Sequence, residues 1–125
     1  MARRNVYFGP RSLTKAVKDV GRPGVHTAKE VCALAVAQLL DFIDGYTVDA
    51  RTGRRKRFTW KTWLGRTKIL YILAAKYGGK ACVRQVHAIA RALHQGKISK
   101  AKARALAKAL ARKKGVTTLI RRWRI

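Results

Sequence analysis

Apolar positions recur with a helical period through most of this 125-residue chain, and the breaks between the periodic stretches are marked by glycine. The clearest start is "TAKE" at 27–30. Thr27 can cap a helix while Glu30, three residues on, closes a capping box. The helix this predicts runs to Asp44, with Gly45 ending it in a left-handed conformation. Residues 31–40 carry no charge, so this helix is apolar nearly all round and is expected to be the most buried element, packed on more than one side. Three further helices are predicted over about 59–77, 80–95 and 97–114, punctuated by Gly78-Gly79, Gly96 and Gly115. Upstream, residues 12–21 read as a short helix capped by Ser12 and stopped by Gly21, with "GRPG" as a turn. Residues 1–11 read as an extended arm with Tyr7 and Phe8 as apolar anchors.

Two segments are less regular. "GYTVDARTGRRKRF" (45–58) is expected to be a polar loop turning at Thr52-Gly53. A short β-hairpin is the alternative, because Tyr46, Val48 and Phe58 flank the turn. The tail from 116 to 125 is either a last helical turn or an extended arm. The expected fold is therefore all-α, with four to five helices and an extended basic N-terminal arm. It divides into 1–27, the arm with its short helix, and 28–125, a helical unit.

Charge changes the picture. The formal net charge is +25, from 30 Lys and Arg against five Asp and Glu. Residues 1–49 hold seven bases and all five acids; residues 50–125 hold 23 bases and no acid. A chain that is 48% hydrophobic is too apolar for a disordered basic tail. Its cationic half points to a polyanionic partner, nucleic acid before an anionic membrane. Met1–Arg11 lacks the apolar segment of a signal peptide, and the run 31–43 is too short for a membrane span, so a soluble chain is expected. One Asn, three Gln and one Met lean toward a hot source.

Enzyme chemistry is poorly supplied. The five acids are scattered, and Asp41 and Asp44 read as solvated positions ending an apolar helix. His26, His87 and His94 have no metal-ligand spacing, although His87 and His94 are seven apart and share a helix face, where they read as solvated or phosphate-facing. No phosphate-binding glycine loop occurs. No enzyme activity, metal or cofactor is expected. Cys32 and Cys82 read as buried thiols, with a bridge between them as the alternative.

The basic residues, by contrast, fall on helix faces. Lys61, Arg66 and Lys68 lie on the 59–77 helix. Lys80, Arg84, His87, Arg91 and His94 step by three or four along the next, opposite Val83, Val86, Ala90 and Leu93. On the last, Lys100, Arg104, Lys108 and Arg112 form an i,i+4 stripe opposite Ala103, Leu106 and Leu110. Like charges at that spacing disfavour an isolated helix by roughly 0.2–0.5 kcal/mol per pair, so something outside the chain is expected to neutralise them. Arg54, Arg55, Lys56 and Arg57 form a dense cluster expected to clamp phosphate. Arg3, Arg4 and Arg11 in the arm, and Arg121, Arg122 and Arg124 in the tail, extend the cationic set. Together the three helices are expected to line one concave cationic surface that binds the backbone without reading sequence. Trp60, Trp63, Tyr71 and Tyr77 have helical spacing and read as core or subunit contacts, with base stacking as the alternative.

In its arm "MARRNVYFGPR", its apolar "VCALAVAQLL" helix and its "GKISKAKARALAKALARKKG" segment, the chain resembles the major coat proteins of filamentous archaeal viruses, of the type infecting Pyrobaculum and Thermoproteus. The resemblance is one of architecture and spans most of the chain. It implies a homo- or heterodimer of coat chains whose helices wrap double-stranded DNA, held in A-form. Many copies would form a helical nucleoprotein filament, the nucleocapsid of a virion assembled in the host cytoplasm, with membrane contact only if the virion is enveloped. On that reading Arg3, Arg4 and Arg11 clasp DNA or a neighbour. A ribosomal protein bound to rRNA, or a chromatin-like DNA-packaging protein, is the competing class.

Overall fold

The computed structural model describes residues 27–48 and 54–123. The expected arm and the short helix at 12–21 lie outside the described residues. Within them the order is α1 (Ala28–Asp44), β1 (Tyr46–Val48), β2 (Arg55–Arg57), α2 (Trp60–Tyr77), α3 (Lys80–His94), α4 (Lys100–Lys114) and α5 (Thr117–Trp123). The protein is mostly helical, five helices and one small sheet among the described residues, as expected of an all-α fold.

The chain caps its own helices with short polar side chains. Thr27, Thr59 and Ser99 each accept a hydrogen bond from the backbone N–H three residues on, at 3.2, 3.3 and 3.1 Å. At the other end of α1, Gly45 takes φ +86° and returns its N–H to the Asp41 carbonyl at 2.9 Å. Gly79 serves a different need. A Cβ there would stand 2.9 Å from the Ala28 carbonyl oxygen, so only glycine lets the α2–α3 turn lie against the start of α1.

Helix α1 is the hub. It packs against α2, α3, α4 and α5 and against β1, while each successive pair of helices from α2 to α5 also touches. Every residue from Val31 to Leu39 is buried, Gln38 included. The charge-free decapeptide thus supplies an axle around which the other helices are wound. Leu70 and Leu73 from α2, Val83 and Val86 from α3, Ala103 and Ala107 from α4, and Val116 and Ile120 beside and within α5 complete the core. Alanine on α1 and α4 allows close approach; the larger volumes come from Trp63, Leu34 and Leu39.

Three expectations are corrected here. The segment after α1 is a β-hairpin rather than a loop: Tyr46 pairs with Arg57, Thr47 with Lys56 and Val48 with Arg55 in antiparallel register. Cys32 and Cys82 are bridged, with Cα atoms 5.5 Å apart, so they are not free thiols; the bond staples α1 to α3. Asp41 is not a solvated helix end. It is fully buried and accepts a hydrogen bond from the Thr47 hydroxyl at 3.1 Å.

Candidate nucleic-acid interface

The cationic side chains sort by which face of each helix turns toward α1. In α2 the buried positions are Trp63, Arg66, Thr67, Leu70, Leu73 and Ala74, which leaves Lys61 and Lys68 exposed. In α3, Cys82, Val83, Val86 and Ala90 face inward, and Lys80, Arg84 and Arg91 stand outward. In α4, Ala103, Ala107, Leu110 and Ala111 are buried, while Lys100, Arg104, Lys108 and Arg112 form an exposed row. Arg121 on α5 is exposed too. Because every one of these helices turns its apolar face to the same axle, their basic faces point away from it and diverge around the outside. A concave surface shared by the three helices of one chain, as expected from their periodicity, does not follow from this packing. The first turns of α2, α3 and α4 contain no acidic residue, so the partial positive charge of their N-termini adds to the side-chain charge.

The Arg54–Arg57 cluster is held on a scaffold. Arg55, Lys56 and Arg57 form β2, all three exposed, and Arg54 precedes them. Arg55 lies over the Tyr46 ring at 4.5 Å, across the strand pair. The hairpin is anchored on both sides. Thr47 bonds to buried Asp41, and Phe58 is buried against Phe42 and Trp63, with its N–H on the Gly45 carbonyl at 3.0 Å.

Arg66 is misplaced by the sequence reading. It is 6% exposed, donates to the Gln38 side-chain oxygen and lies 4.7 Å over the Phe58 ring. Burial lowers its guanidinium to about 10, and the Asp41 carboxylate pulls the other way. It remains charged at neutral pH and belongs to a buried polar knot of Gln38, Asp41, Thr47 and Arg66 beneath the hairpin. It is a structural cation, not a surface contact. Arg104, by contrast, is on the surface but shares its charge with Asp44 at 3.2 Å. Arg3, Arg4, Arg11 and Arg124 lie outside the described residues, and Arg122 falls within α5.

The aromatic residues expected as core do pack there: Trp63 is fully buried and Trp60, Tyr71 and Tyr77 are half-buried against the core. The histidines do something the sequence reading missed. His87 and His94 share a face, as expected, but both stack on tryptophan. Trp60 lies parallel to His94 at 4.3 Å, with 3° between the planes, and to His87 at 6.1 Å. Trp63 donates its indole N–H to Nδ1 of His87 at 3.0 Å. The signal was available in principle, since Trp60 and Trp63 share a face one turn apart, but the pairing of that face with α3 was not.

Leu64 and Ile72, 40% and 50% exposed, are large apolar side chains on α2 left in solvent eight residues apart. No group of three His, Cys, Asp or Glu side chains that could hold a metal occurs among the described residues, and none of the described helices is long and apolar enough to cross a membrane.

What these features define is a small helical domain with a buried apolar axle and a cationic exterior. No family model, curated protein or solved structure matches the chain.

Proposed function

We propose that the protein is a structural coat protein that binds double-stranded DNA independently of sequence and packages it, with many other copies, in a helical nucleoprotein filament. The observation that carries this reading is the fate of the acids. Among the described residues, Asp41 is spent on the buried knot and Asp44 on Arg104, while Glu30 sits at the Thr27 cap. No acid follows residue 49, so the outward rows on α2, α3 and α4 find no counter-charge within their own half of the chain. Phosphate supplies it.

The divergence of the basic faces favours packaging over a single binding cleft. A chain whose hairpin and three helices each carry exposed cations can touch more than one stretch of duplex, or one stretch together with a neighbour. The exposed Leu64 and Ile72 offer an apolar contact to a second copy, as a homo- or heterodimer. The resemblance to coat proteins of filamentous archaeal viruses is consistent with the same reading, in which the protein is a component of a virion. DNA of A-form, and assembly in a host cytoplasm, belong to that part of the reading.

The test is salt-dependent binding of duplex DNA, followed by electron microscopy of the complex. Duplex DNA carries one charge per about 1.7 Å, so a charge of +25 matches about 12 base pairs. If about ten contacts form, log K falls against log salt with a slope near −9. Filaments should form on unrelated sequences. A slope shallower than about −3, or tight binding to one sequence only, refutes the coat reading. Equal slopes with particles on structured rRNA but no filaments on DNA would favour a ribosomal protein.

A further inference from the structure

A groove of about 360 Å³ opens between α1, α4 and α5. Its floor is apolar, formed by Val36 and Leu40 of α1, Ala111 of α4 and Ile120 of α5. Its rim is cationic: Lys108, Arg112 and Arg121 all line it, and all three are exposed. Among the described residues no carboxylate lines it. Thr117 lines it as well, and its hydroxyl is buried without a hydrogen-bond partner. Buried hydroxyls are ordinarily satisfied, so this one asks for an explanation. The volume falls within the range of small-molecule sites, at its lower end.

A phosphate backbone explains only half of this. It would meet the three cations and leave the apolar floor to water. An uncharged apolar group would fill the floor and leave the cations unpaired. We propose that the groove binds a single-chain amphiphilic anion, a long-chain carboxylate. Its acyl chain lies on Leu40, Ala111 and Ile120, above buried Val36, and its head is held by Arg112 and Arg121 with Lys108 beside them. A carboxylate suits the site because guanidinium groups bind it with paired, charge-assisted hydrogen bonds. A head-group oxygen can also accept from the Thr117 hydroxyl. The first 26 residues carry six Lys and Arg against one acid, so their composition does not supply the anionic head that the rim calls for.

The experiment follows the methyl groups of the full chain by NMR while laurate is added below its micelle concentration. The expected result is saturable, one-to-one shifts at Val36, Leu40 and Ile120, with none from acetate and none from dodecyltrimethylammonium. Because a chain this cationic attracts any anion, two variants of equal charge loss separate the groove from diffuse attraction. Arg112→Gln with Arg121→Gln should weaken laurate by about tenfold or more. Lys80→Gln with Arg84→Gln, on α3, should weaken it by less than about threefold. All four positions are exposed, so both variants should fold, and unchanged amide spectra would show it. Several outcomes overturn the proposal. One is equal losses in the two variants; another is shifts that spread over the surface without saturating. Silence of the groove methyls would mean that the site is closed or already filled by this chain. Equal binding of dodecyltrimethylammonium would remove the role of the rim. Response to anionic vesicles but not to monomeric laurate would make the face a membrane contact instead.

Discussion

The indole N–H of Trp63 donates to Nδ1 of His87 at 3.0 Å, joining the largest side chain of the core to a histidine on the neighbouring helix. The other ring nitrogen, Nε2, stands 3.0 Å from the Arg91 guanidinium. Both neighbours are donors, and a neutral imidazole has one lone pair to offer, so His87 accepts from one at a time. A protonated ring could accept from neither. Partial burial, and then the Arg91 charge, push the His87 imidazolium below its ordinary range.

That arrangement makes the fold acid-sensitive in a defined direction. Because the folded chain holds His87 neutral, the unfolded chain binds the extra proton. The contribution is therefore full above the unfolded value of about 6.5 and is lost as pH falls below it toward the lowered folded value. His87→Gln keeps an acceptor for Trp63 without titrating. Thermal unfolding of both proteins from pH 8 to pH 5 should show a smaller fall in midpoint for the variant. Parallel profiles would mean that His87 is not held neutral.

Arg66 and Arg84 should respond oppositely to removal. Arg66→Met leaves Asp41 and Gln38 buried without their cationic neighbour, a change that costs about 3–5 kcal/mol when a buried ion is stranded. The DNA salt slope should not move, provided enough protein stays folded at the assay temperature. Arg84→Gln should change stability by no more than about 0.5 kcal/mol and reduce the slope by about 0.9. Urea unfolding and salt-dependent DNA binding of both variants check this; a reduced slope for Arg66→Met would put that side chain on the surface.

The Cys32–Cys82 bridge closes a sequence separation of 50 residues. Chain-entropy arguments give about 4 kcal/mol for a loop of that length, within a common range of about 2–4. The double variant Cys32→Ala with Cys82→Ala, or full reduction, should lower the denaturant midpoint accordingly while leaving the helical spectrum intact below the transition. No change on reduction would show that the bond adds nothing to the packing of the two side chains.

The row Lys100, Arg104, Lys108 and Arg112 can be neutralised by glutamine at nearly level helix propensity. Relief of like-charge repulsion should stabilise the free chain slightly. Four phosphate contacts would be worth about 3.6 units of salt slope, but Arg104 already answers Asp44, so a loss of about 2.7 is expected. Filament formation should then fail at moderate salt. An unchanged slope would place the DNA on other faces, with α3 and the hairpin the next to test.

Most of the helical framework was legible along the chain because its determinants are local. Thr27, Thr59 and Ser99 cap from their own positions, Gly45 and Gly115 stop helices through their own backbone freedom, and the 3.6-residue period of Val83, Val86 and Ala90 marks an inward face whatever that face meets. The charge asymmetry was equally plain, since it is a property of composition. Partners distant in sequence were not legible. Arg66 looked like any other cation on a basic helix, and only the packing of α2 against α1 puts it beside Gln38 and near Asp41. Cys32 could be bridged only once α1 and α3 brought its Cα within 5.5 Å of Cys82. The weak strand signal of Tyr46–Val48 became a hairpin because Asp41 and the Phe42–Trp63 cluster hold its two ends. By itself the sequence determined where the helices lie, which side of each turns inward and how strongly the chain must attract anions. Only the tertiary structure decided which charges are spent inside and which way the remaining ones point, because both depend on close contacts between residues far apart along the chain.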